Sequence, residues 1–169
     1  PAMVSAADET PAIADVRSVL EDVRDPEIPI LTIADLGILR DVAIENGEIV
    51  IVITPTYSGC PAMNTIEQDI RAALDAAGIA PVRIETRLAP AWTTDWLSAA
   101  GRRKLLEVGI APPAERSTNK RLLGAAPAIA CPQCGSQATE RVSEFGSTAC
   151  KALYRCRECL EPFDYFKCI

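Results

Sequence analysis

Apolar positions recur along this chain in two rhythms, and the switches between them mark out its first elements. Ile13, Val16, Leu20 and Val23 lie three or four apart and predict one face of a helix ending near Arg24, with Thr10 as N-cap and Pro11 as first residue. Asp25-Pro26-Glu27-Ile28-Pro29 cannot continue it, because each proline disfavours helical geometry in the residue before it; a rigid acidic turn is expected. Gly37, after Asp35-Leu36, is expected to supply the backbone angle that leads into the next strand. Strands are predicted over 38–45 and 48–54, joined at Asn46-Gly47, a pair that tolerates the positive φ values of a type I′ hairpin turn. The helical rhythm returns at Met63, Ile66, Ile70 and Leu74 and stops at Gly78. Val82, Ile84, Thr86 and Leu88 then alternate with charged residues as a half-exposed strand does.

The resulting order of helix, strand, strand, helix, strand fits a small α+β two-layer sandwich, with helices on one face of a mixed sheet. Thr93 or Thr94 is expected to cap one further helix running through Trp96 and Leu97 to Glu107. That helix carries Arg102-Arg103-Lys104, read as a solvated face in preference to a binding patch. From Ala111 the periodicity disappears among prolines, Ser117, Asn119 and Gly124. The expected organisation is a flexible leader over 1–9, the α+β domain over 10–110, a linker over 111–129 and a small terminal module over 130–169.

Cysteine spacing defines that last module. Cys131-Pro-Gln-Cys134-Gly and Cys156-Arg-Glu-Cys159 are two C-x2-C knuckles, the pattern of a zinc ribbon, in which two tight turns complete one tetrahedron of sulfurs. So small a segment cannot bury enough surface to fold alone, whereas four thiolates on zinc contribute on the order of 10 kcal/mol. Zinc is preferred over iron because no glycine follows the second knuckle.

Three cysteines remain. Cys60-Pro61 lies between the second strand and the second helix, which places Cys60 at the expected N-cap; the helix dipole would favour its thiolate. The alternative is a small buried thiol closing a tight turn. The chain contains no histidine to serve as a base, so metal or cluster handling is a better expectation than papain-like catalysis. Cys60, Cys150 and Cys168 are therefore candidates for a transient iron or iron–sulfur site; otherwise Cys150 and Cys168 are ordinary reduced thiols.

Charge narrows the partners. Residues 1–110 hold 9 Lys and Arg against 17 Asp and Glu, and the rest hold 8 against 6. An acidic first domain argues against nucleic acid, which binds through cationic neutralisation. The basic residues around the knuckles, Arg141, Lys151, Arg155, Arg157 and Lys167, alternate with Glu140, Glu144, Glu158 and Glu161. Short apolar runs argue against a membrane span, and the beginning of the chain lacks a secretory pattern. With seven cysteines better suited to ligation than to a disulfide framework, a cytoplasmic location is expected. An exposed hairpin edge could pair two copies into a homodimer.

Asp25-Pro-Glu-Ile-Pro29, Asp35-Leu-Gly37 and the loop from Thr54 to Met63 resemble the small domain of iron–sulfur assembly factors of the SufT type. Pro90-Ala-Trp-Thr-Thr-Asp-Trp96, Gly101-Arg-Arg-Lys104, Gly109-Ile-Ala-Pro-Pro113 and the tail from Ser143 to Cys156 are similar, more narrowly, to the accessory-protein family of the phenylacetyl-CoA epoxidase system. The resemblance covers nearly everything from Thr10 to Ile169. It implies a non-catalytic accessory or maturation role in aerobic phenylacetate breakdown, helping to install iron or an iron–sulfur cluster in the reductase component of a di-iron monooxygenase. Cys60 would be the cargo ligand, with Asp25, Glu27 and Asp35 as surrounding polar groups and the zinc module docking the target. The competing expectation is a structural docking subunit of the oxygenase complex. A chain without histidine cannot build the oxygenase's own di-iron site.

Overall fold

The computed structural model describes residues 12–113 and 129–167. Its elements are α1 (Ile13–Leu20), β1 (Leu39–Glu45), β2 (Glu48–Ile53), α2 (Met63–Ala76), β3 (Val82–Thr86), α3 (Ala99–Glu107), β4 (Ile110–Ala111), β5 (Thr139–Ser143), β6 (Lys151–Cys156) and β7 (Pro162–Phe166). Leader residues 1–9, the Thr10-Pro11 cap and most of the predicted linker lie outside the described residues.

The first sheet has the order β1-β2-β3. β1 and β2 are antiparallel, and Asn46 and Gly47 take φ values of 52° and 82°, as the hairpin reading requires. β2 and β3 are parallel, which needs a crossover, and α2 supplies it. Ile49, Ile51 and Ile53 of β2 point into the core, where they meet Val16 and Leu20 of α1 and Ile66, Ile70 and Leu74 of α2. On the opposite face Val50 and Val52 are also buried, flanked in register by Arg83 and Glu85, and Arg83 forms ion pairs with Glu45, Glu48 and Glu85. The two-layer α+β sandwich is thus as expected, with charged residues of β3 beside the valines on its second face.

Several boundaries differ from the sequence reading. α1 begins after Ala12 and stops at Leu20, well before Arg24, because Arg24 bridges to Thr32 across the acidic turn. The predicted helix from Thr93 or Thr94 to Glu107 is broken: Thr93 caps a single 3-10 turn over Thr94–Trp96, Leu97 is extended, and Ser98 caps α3 by accepting the Gly101 N–H at 2.8 Å. The sequence signal for this break is a second cap residue, Ser98, five positions after Thr93. The basic triplet is not simply solvated either. Arg102 donates to the carbonyls of Pro113 (2.6 Å) and Thr94 (2.8 Å), and Lys104 reaches Asp35 at 2.6 Å, leaving Arg103 as the exposed member.

The second sheet, β4-β7-β6-β5, is the terminal module, joined at one edge by residues from the end of the first domain. Ala111 therefore lies in a strand and not in a linker, and Ile129 is buried with it against Cys131, Cys156 and Phe163. The opposite end of the same sheet reaches into the first domain. Phe166 is 1% exposed and meets Trp92 edge to face at 6.1 Å, while the Trp92 indole N–H donates to the Leu36 carbonyl at 2.8 Å. Cys150 and Phe166 thus share the first domain's core.

Candidate metal centres

The four knuckle sulfurs of Cys131, Cys134, Cys156 and Cys159 all lie within 4.8 Å of one another. The separations of 3.7 Å between Cys131 and Cys159 and 3.6 Å between Cys134 and Cys156 are close to the edge of a tetrahedron with metal–sulfur bonds of 2.3 Å, about 3.8 Å. The knuckles are near copies. Cys131 N–H donates to the Ser136 carbonyl and Cys156 N–H to the Glu161 carbonyl, five residues on in each case. Gly135 has φ of 75° and Leu160 φ of 65° at equivalent positions, so the second knuckle adopts the left-handed turn without the glycine. Backbone amides aim at sulfur: the Cys159 amide, aided by that of Glu158 at 3.4 Å, draws the Cys156 thiol down to about 6. This donor set is fit to hold a metal ion.

Cys60 lies in a different setting. Its N–H donates to the Tyr57 carbonyl and its carbonyl accepts from Met63 at 3.4 Å, so Cys60-Pro61 closes a turn and Ala62, not Cys60, is the N-cap of α2. The expected activation by the helix dipole is overturned. Burial pushes the Cys60 thiol up; the Ala62 amide opposes this, and the charges of Glu27 and Asp25 add to it.

Cys150 joins this neighbourhood from the other module. It is 5% exposed, its sulfur lies 3.1 Å from Thr148 Oγ1 and 3.5 Å from Glu27 Oε2, and burial together with Glu27 raises its thiol to about 11. Burial also raises the Tyr57 phenol, which in addition faces the charges of Cys60, Glu27 and Cys150. The acidic turn is built to present Glu27: Asp25 Oδ1 accepts the N–H groups of Glu27 (2.9 Å) and Ile28 (2.7 Å). Lys151, 7% exposed, lies 3.8 Å from Asp164 and exerts its charge on Asp25.

Of the three carboxylates expected near Cys60, Asp25 and Glu27 are therefore there, whereas Asp35 is engaged elsewhere. Its oxygens accept from Lys104 (2.6 Å), Ser98 Oγ (3.1 Å) and Thr32 N–H (3.2 Å), which fastens α3 to the turn before β1. Cys168 lies outside the described residues, and the Lys167 N–H just before it donates to the Cys150 carbonyl at 2.9 Å. The basic residues of the ribbon are taken up by ion pairs: Arg155 and Arg157 with Glu140, Arg141 and Lys167 with Glu144, and Lys151 with Asp164. Among the described residues no helix is long and apolar enough to cross a membrane.

A domain with a half-buried thiol on its strand-to-helix loop, joined to a four-cysteine ribbon, defines a two-module metal-handling protein. Residues 13–84 match the iron–sulfur cluster assembly protein family, and residues 115–167 match the PaaD zinc beta ribbon domain. A relative from Escherichia coli (strain K12), provisionally named as a subunit of 1,2-phenylacetyl-CoA epoxidase, is 50% identical over 159 residues, 94% of both chains. The chain belongs to this PaaD family of phenylacetyl-CoA epoxidase subunits. An Fe-S protein maturation auxiliary factor from Porphyromonas gingivalis is 32% identical over 97 residues, 56% of this chain and 89% of that one. A solved domain of unknown function DUF59 from Bacillus anthracis superposes with a TM-score of 0.51 at 27% identity, over 55% of this chain and 90% of that one.

Proposed function

We propose that this protein is a non-catalytic accessory factor that matures the phenylacetyl-CoA epoxidase system, supplying iron or an iron–sulfur cluster to the reductase component from the junction of its two modules. The observation that carries the reading is the 3.5 Å approach of Cys150, on the ribbon, to Glu27, on the first domain, beside the Cys60 loop. A purely structural ribbon has no need to bring a spare thiol into a neighbour's core next to a carboxylate and a second thiol. Cys60, Cys150 and Cys168 are the cargo ligands in this reading, and Asp25 shapes the turn that presents Glu27. Zinc in Cys131, Cys134, Cys156 and Cys159 holds β5, β6 and β7 together and so keeps Cys150 at the junction.

The test is a deletion strain in which the epoxidase proteins are present. The reductase should be short of iron–sulfur cluster, restored by the wild-type chain and not by Cys60→Ser or Cys150→Ser. A fully loaded reductase in the deletion strain, with this protein co-purifying at fixed stoichiometry, would replace the reading with that of a docking subunit.

A further inference from the structure

We infer that the cargo at the Cys60, Cys150 and Glu27 junction is a single divalent metal ion in a mixed sulfur and oxygen site, ferrous iron in the proposed role, and not an assembled all-cysteine cluster. The inference rests on the maturation reading above and specifies what is carried.

Two observations lead to it. The first is the supply of ligands. An iron–sulfur cluster of the common kind takes four cysteine thiolates. The chain has seven cysteines and the ribbon's tetrahedron uses four, so three remain in the whole sequence, of which Cys60 and Cys150 are at the described junction. One copy cannot complete an all-cysteine cluster, whereas two sulfurs and the Glu27 carboxylate suit one borderline divalent ion, with a position left for a ligand from the recipient.

The second is charge. Glu27 Oε2 lies 3.5 Å from the Cys150 sulfur, and Asp25 holds the same turn through the Glu27 and Ile28 N–H groups; the one buried cation described nearby, Lys151, is shared between Asp25 and Asp164, the latter 3.8 Å away. The pocket is therefore negative before any thiol ionises. That field attracts a bare dication and repels a cluster already wrapped in thiolates. Among the described residues the ribbon sulfurs are the ligand set that already converges, whereas at the junction the Cys150 sulfur and Glu27 Oε2 stand 3.5 Å apart and an ion would have to draw the Cys60 sulfur to them. Binding leaves iron ferrous: two S–H bonds break, two iron–sulfur bonds form, and two protons leave to solvent. Handover is then an exchange of ligands in which the recipient's side chain enters the open position and the junction sulfurs regain their protons.

Full-length protein with its ribbon zinc in place, titrated anaerobically with ferrous iron alone, should bind one iron per chain. X-ray absorption at the iron edge should show sulfur and oxygen neighbours together. Glu27→Gln should weaken binding at least tenfold, Cys60→Ser and Cys150→Ser should abolish it, and zinc content should confirm that each variant is folded. Adding sulfide should leave the iron at one per chain without acid-labile sulfide. Acid-labile sulfide equimolar with iron, or affinity unchanged in Glu27→Gln, overturns the single-ion inference while leaving the maturation reading standing. Absence of both iron and cluster from the wild-type chain overturns both.

Discussion

The ribbon and the junction are both built around cysteine, and they differ in almost every physical respect. At the ribbon, four sulfurs come from two short turns, backbone amides aim at the metal side, and the set is closed. At the junction, two thiols and one carboxylate come from three remote segments, burial and negative charge keep the thiols protonated, and the set is open. A closed set with amide donors keeps its ion, and an open one among carboxylates can give its ion up. In the proposed role the first serves folding and the second the cargo, and the strand β6 that ends in Cys156 begins directly after Cys150.

That strand offers the largest perturbation. Cys156→Ala should cost the ribbon its metal, worth on the order of 10 kcal/mol of folding free energy. Zinc content and the near-ultraviolet circular dichroism of Tyr154 and Tyr165 would follow the loss. Iron uptake at the junction should vanish with it, because Cys150 would leave its place beside Glu27. Retained iron uptake in a zinc-free chain would show the two regions to be independent.

Next is the attachment of α3. Asp35→Ala strands Lys104, Ser98 and the Thr32 N–H and should cost about 3 kcal/mol, at the lower end for a buried pair because Lys104 is partly exposed. Burial alone would raise the Asp35 carboxyl, but Lys104, Thr32 and Ser98 outweigh it and hold it below the ordinary range. Stability from Asp35 is therefore full above the unfolded value of about 3.9 and is lost as pH falls through the lower folded value. Urea midpoints measured across this window should decline with acid in the wild type and less steeply in Asp35→Asn.

Gly37→Ala should cost about 2 kcal/mol, since φ is +68° and an added Cβ would stand 2.5 Å from the Trp96 carbonyl oxygen; thermal denaturation would measure it. Cys60→Ser sharpens the contrast with the ribbon, because stability should change by less than about 1 kcal/mol while ferrous iron uptake is lost. The smallest effect belongs to Leu160→Gly, which relieves a left-handed leucine that is 66% exposed. A gain of about 0.5 kcal/mol is expected, with metal affinity unchanged, because glycine's greater freedom when unfolded offsets part of the relief.

The sequence by itself determined whatever depends on neighbours in the chain. Asn46-Gly47 fixed the hairpin, Met63 to Leu74 the second helix and Gly78 its end, and the two C-x2-C knuckles the metal set, because turn geometry and helical periodicity act over a few residues. Even there a second cap at Ser98 prevailed over apolar spacing and split the expected helix. Tertiary structure decided the rest. It placed Glu27 against Cys150 across 123 positions, gave Asp35 to Lys104 and not to Cys60, and brought Ile110–Ala111 into the ribbon's sheet. It also reversed the expected state of Cys60, because a thiol's ionisation follows the charges and solvent that packing puts around it, and the acidic turn, remote in the chain, supplied the negative charge.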